Sequence, residues 1–128
     1  MKFMLMMNMP SSDWAPGKWT PEDLDRSIAY METLNLRLQA DGEFVQAEGL
    51  APPAEAHIVR ASASGLVVTD GPWAESKEFL AGFWIISVET AERAHAIAAA
   101  ISEAPGHGGA PLNMPIEVRQ VMSVPPTK

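Results

Sequence analysis

The sequence predicts an α+β fold, a ferredoxin-like sandwich with an inserted β-hairpin. Three observations carry that expectation. The segments run strand–helix–strand, then a hairpin, then strand–helix–strand, which places two βαβ-like halves in one short chain. Only two segments show helical periodicity, and two helices cover one face of a sheet. Residues 3–7 and 79–88 are nevertheless apolar on both alternating faces. A lone subunit would expose a sheet face larger than monomers usually tolerate. The sequence therefore predicts a homodimer built sheet against sheet.

The elements follow in order. Residues 2–8 form an apolar run bounded by Pro10, and their length suits a strand. Residues 10–20 hold Ser11, Ser12, Asp13, Pro16 and Gly17, which is loop chemistry. A helix begins with Thr20 as N-cap, Pro21 at the first helical position and Asp23 three residues after the cap. Leu24, Ile28, Met31, Leu34 and Leu38 give it one apolar face, and Gly42 closes it. Residues 43–49 read as a second strand ended by Pro52-Pro53. His57–Ser62 and Leu66–Thr69 flank the turn-forming Ala63-Ser64-Gly65 and read as a hairpin. Residues 79–88 read as a central strand. Thr90 can cap a second helix whose face is Ala94, Ile97, Ala98 and Ile101. Residues 104–115 are a Pro/Gly connector, and Ile116–Val124 reads as the last strand.

Length and composition bound the function. The 128 residues suit one domain spanning 1–128. The absence of cysteine removes disulfides, thiolate metal sites and cysteine nucleophiles. A net charge of −7 argues against a nucleic-acid binder, which carries a basic stripe. No run approaches the roughly 18 apolar residues of a membrane span. The apolar start is too short for a signal peptide, and no small-residue cleavage site follows it. The expectation is a cytoplasmic protein with neither membrane nor nucleic-acid partners.

One loop concentrates chemistry. Asp70-Gly71-Pro72 is turn-like, but Pro72 has no N–H for the usual aspartate turn. Two readings of this loop stand. In one, Asp70 caps a short turn and Lys77 pairs with a carboxylate in solvent. In the other, Asp70, Glu75 and Lys77 converge at a pocket edged by Trp73. Two close carboxylates push one pKa up and a lysine opposes that, which suits a general acid or base. Phe83 and His57 are the further candidate ligand-binding residues. His57 with Glu55 or Glu48 could seed a metal site, but the histidines are scattered and no metal is expected. Gly106-His107-Gly108-Gly109 follows a helix instead of opening one, so it reads as a connector and not as a phosphate loop. Trp14 and Trp19 either pin their loop to the body or line a cleft.

Val68-Thr69-Asp70-Gly71-Pro72-Trp73-Ala74-Glu75-Ser76-Lys77-Glu78, followed by Leu80-Ala81-Gly82-Phe83-Trp84-Ile85-Ile86, resembles the YCII-related family. It is most similar to the branch named after its Asp-Gly-Pro-Phe (DGPF) motif. Met1–Leu5 resembles that family's opening strand. Glu48-Gly49-Leu50 with Pro52 resembles its second strand and turn, and Ile116–Arg119 its closing strand. Trp73 stands in place of the usual phenylalanine, Ala81-Gly82 in place of a double glycine, and Gln120 where many members have proline. The resemblance implies a dimeric α–β barrel and places Asp70, Gly71, Pro72, Glu75 and Lys77 on signature positions. Related members carry a histidine–aspartate pair with the histidine in the first helix, whereas this chain has no histidine before His57.

Two functions follow as expectations. The first is a homodimeric small-molecule-binding domain, in its sharper form a cofactor-independent enzyme. There Asp70 or Glu75 is the acid/base group, Lys77 positions an anion, and Trp73 and Phe83 wall the pocket. The second is a non-catalytic regulatory module with a transcription-related partner, since the branch is similar to domains associated with sigma factors. Flavin or haem chemistry has only the analogy of the fold behind it.

Overall fold

The computed structural model describes residues 1–10, 19–71 and 78–122. Within them the chain runs β1 (Lys2–Pro10), α1 (Pro21–Ala40), β2 (Phe44–Gly49), β3 (His57–Ser62), β4 (Gly65–Asp70), β5 (Glu78–Ser87), α2 (Ala91–Ser102) and β6 (Ile116–Gln120). Short 3-10 turns occupy Pro53–Glu55 and His107–Gly109. Four strands form an antiparallel sheet in the order β2-β5-β1-β6, while β3 and β4 pair as a separate two-stranded sheet. With two helices this α+β order is consistent with a ferredoxin-like fold.

Pleating decides which side chains meet the helices. Phe3 and Leu5 of β1 lie opposite Ile86 and Trp84 of β5. All four are buried on one face, against Leu34 and Leu38 of α1 and Ala94, Ile97, Ala98 and Ile101 of α2. The alanines of α2 let that helix approach closely. On the opposite face Met4 pairs with Ile85 and Met6 with Phe83, and these four are only half-buried. Glu117 and Arg119 of β6 and Gln46 and Glu48 of β2 flank them. The ladder slips at Met7/Asn8 and again at Phe44/Gln46, as bulges do.

The helix ends are built as their residues dictate. Thr20 and Asp23 form a reciprocal capping box. Gly42, at φ 73°, follows the α1 C-cap Asp41. The Thr90 hydroxyl accepts from the Arg93 amide at 3.1 Å. No helix among the described residues is long and apolar enough to cross a membrane.

One expectation about α1 needs refinement. Its apolar face is continuous in sequence, yet only the C-terminal half is sealed. Leu34 and Leu38 are buried and Met31 packs on the core, but Leu24 and Ile28 remain about half exposed, at 51% and 52%. The first turn of α1 lies instead against the 104–115 connector, held there by polar contacts. The last predicted strand is also shorter than 116–124, ending at Gln120.

Candidate functional site

Three features could carry chemistry. The first is a groove of about 360 Å³ between α1 and strands β2 and β5. Ile28 and Met31 of α1, Ala47 of β2 and Ala81 of β5 make most of its lining apolar. Phe83 is among the lining residues. Trp84 is held in place because its indole N–H donates to Asn35 Oδ1 at 2.9 Å, across the interface between sheet and helix. Gly82 belongs to the lining for a steric reason: a β-carbon there would sit 2.9 Å from the Glu48 carbonyl oxygen. Ser27, Glu32 and Glu48 supply the remaining polar edge, and among the described residues none of the lining is basic. Its volume falls in the range of small-molecule pockets.

The second feature is the pair His57 and Asp70, opposite residues at the root of the β3–β4 hairpin. His57 Nε2 lies 3.5 Å from Asp70 Oδ1, and the Asp70 side chain is almost fully exposed. Gly71, at φ 81°, donates its amide to the Ala56 carbonyl and closes the hairpin root. Asp70 thus faces an imidazole. Glu75, Lys77 and Trp73, the other candidates of this loop, lie outside the described residues.

The third feature escaped the sequence reading. Asp23 is a buried charged residue at the N-terminus of α1, 4% exposed. Its carboxylate accepts from the Thr20 amide at 3.0 Å and the Gly108 amide at 3.1 Å. Arg26 Nη1 lies 3.3 Å away and His107 Nδ1 3.1 Å away. These hydrogen bonds, led by the Thr20 amide, outweigh desolvation and lower its pKa to about 2. An ionised carboxylate only accepts, so Nδ1 of His107 carries the hydrogen in this contact. The Gly106–Gly109 segment is therefore a clasp on α1. Gly108, at φ 68°, takes the left-handed conformation that turns its amide to the carboxylate. Buried Gly106 leaves room beside Trp19: a β-carbon there would approach Leu112 within 2.5 Å and Trp19 within 3.6 Å. In sequence, Asp23 reads as a capping acid and His107 as a connector residue. The spacing of a pair 84 residues apart gives no signal that they meet.

Among the described residues, no group of three or more histidines and carboxylates is placed to hold a metal ion. His95 lines a shallow depression between α2 and β6.

The comparisons with known proteins fit this architecture. The chain is similar over 86 residues to an uncharacterized protein of Rhizobium meliloti (strain 1021), at 30% identity, covering 67% of this chain and 69% of that protein. The YCII-related domain matches residues 1–110, from β1 through the clasp on α1. The chain belongs to the YCII-related domain family.

Proposed function

We propose that this chain is a single-domain, small-molecule-binding protein of the Asp-Gly-Pro-Phe branch that works as a homodimer, with its ligand in the groove between α1 and β5. The groove carries the reading: it is mostly apolar, of small-molecule size, and its indole is already oriented by Asn35. The Asp70-Gly71-Pro72-Trp73 segment supports the branch assignment. The half-buried face of Met4, Met6, Phe83 and Ile85 supports the dimer, because a second sheet would remove it from water. An enzymatic form of this reading would place its acid/base group, Asp70 beside His57, at a second site at the hairpin root, since neither residue is among the described lining of the groove.

A thermal-shift screen with neutral and amine-bearing small apolar compounds tests the groove. The expected result is a stabilising compound whose shift disappears in Ile28→Trp, which fills the groove, and persists in Glu22→Gln. Compounds that stabilise the Ile28→Trp protein as well as the wild type would overturn the ligand site. A library without a single stabilising compound would favour the non-catalytic module. Light scattering tests the dimer: Ile85→Glu should turn a dimeric wild type into a monomer.

A further inference from the structure

We propose that the groove between α1 and β5 takes a cation, a compact apolar amine whose ammonium group pairs with Glu32. The inference rests on the ligand site proposed above and adds the chemical class of its ligand.

Helical spacing brings the relevant side chains together. Ile28, Met31, Glu32 and Asn35 stand at i, i+3, i+4 and i+7, so they share the face of α1 that borders the groove. Across it, Ala47 of β2 is paired with Trp84 of β5. Glu48 is paired with Phe83, one residue along the pleat, so its side chain leaves toward the opposite face of the sheet. The carboxylate on the groove side is therefore that of Glu32.

This carboxylate has no counter-charge of its own. Glu32 is exposed, and among the described residues it makes no ion pair. Its neighbours one turn away along α1 are Ile28, Ala29, Asn35 and Leu36, none of them basic. The described lining of the groove holds no lysine, arginine or histidine either. A carboxylate beside an apolar wall favours a ligand that brings the positive charge itself, and it repels carboxylates and phosphates. The net charge of −7 acts in the same direction at longer range.

The wall agrees with a cation that has an apolar body. Trp84 puts an indole in the lining, and indole is the side-chain ring that attracts cations most strongly. Ile28 and Met31 offer hydrocarbon surface to the rest of the ligand. Asn35 does not compete with Glu32 for the ammonium. An indole N–H only donates, so the Asn35 atom that faces Trp84 at 2.9 Å is the amide oxygen, which is thereby engaged. Glu32 is left as the charged acceptor on this face of α1.

Isothermal titration calorimetry with three matched probes, phenethylamine, 2-phenylethanol and 3-phenylpropionate, tests the class. Phenethylamine should bind about tenfold more tightly than 2-phenylethanol, and 3-phenylpropionate more weakly than either. Glu32→Gln, a change at an exposed position, should erase the amine's advantage and leave the affinity for 2-phenylethanol within about twofold. Glu32→Lys should reverse the order, so that 3-phenylpropionate binds more tightly than phenethylamine. Glu22→Gln, in the first turn of α1 and outside the groove, should leave all three unchanged. An amine preference that survives Glu32→Gln overturns the class, and so does equal binding of the three probes or no binding by any of them at millimolar concentration. Probes that bind without preference for the amine, and lose that binding in Ile28→Trp, leave the groove standing while the class falls. If phenethylamine binds Ile28→Trp as tightly as the wild type, the groove falls and the class with it.

Discussion

Asp23 and His107 are 84 residues apart in sequence and 3.1 Å apart in space. The contact joins the first turn of α1 to the connector before β6, and Gly108 strengthens it with a backbone amide on the same carboxylate. Its consequence is a pH dependence. The Asp23 carboxyl has a folded pKa of about 2, below its ordinary value of 3.8. A group depressed on folding adds stability above its unfolded pKa and loses it as pH falls through the folded one. The contribution should be complete above about pH 4 and fade from there toward about pH 2. Asp23→Asn should flatten the acid limb of a plot of urea midpoint against pH. An unchanged limb would show that the clasp contributes nothing.

The same clasp predicts an ordering of variants. Thr20→Ala removes only the hydroxyl that accepts from the Asp23 amide, and should cost roughly 0.5–2 kcal/mol. Asp23→Ala removes that box and also frees the connector, so its urea midpoint should fall further. Amide hydrogen exchange at Gly108 should speed up in Asp23→Ala and stay slow in Thr20→Ala. Equal rates in both variants would contradict the arrangement.

Trp84 and Asn35 hold the groove's back wall. Asn35→Leu strands a buried indole N–H and should destabilise by about 1–3 kcal/mol. Trp84→Phe removes the donor instead. Adding Asn35→Leu to Trp84→Phe should therefore cost less than Asn35→Leu does alone, and a double-mutant cycle by chemical denaturation measures the difference.

Gly82 sits where β2 and β5 come closest to the groove. Gly82→Ala drives a β-carbon against the Glu48 carbonyl oxygen, which is backbone and yields little. The expected cost is roughly 1–3 kcal/mol, read from the urea midpoint. A neutral result would mean that the two strands separate there without penalty.

Glu43 and Arg93 tie the start of β2 to α2 through two hydrogen bonds, at 2.8 and 2.9 Å. The Arg93 guanidinium holds the Glu43 carboxyl below its ordinary range. That stability is present above the unfolded carboxylate pKa and lost as pH falls through the lowered one. Because Arg93 is nearly half exposed, Arg93→Ala should cost no more than about 1 kcal/mol. Arg93→Lys should recover only part of it, since lysine lacks the planar fork. Repeating the measurement in 1 M salt should shrink both differences.

What the sequence determined by itself is local. Thr20, Pro21 and Asp23 mark the start of α1, Gly42 its end, and Thr90 the start of α2, because caps are satisfied within one turn of chain. The alternation of β1 and β5 gives the two-faced sheet, since side chains on successive residues leave on opposite sides. The hairpin register is equally local, pinned by the turn at Gly65, at φ 119°. Tertiary structure decided what distant residues do together. Whether Leu24 and Ile28 are covered depends on how far the sheet and α2 extend along α1, and periodicity carries no such length. The groove lies where Gly82 lets β2 approach β5 closely and where Ile28 and Met31 of α1 face that edge, residues that come from three distant elements. Asp23 turns from a capping acid into a buried clasp because the chain returns after 84 residues with a glycine-rich segment, and no local spacing encodes that return.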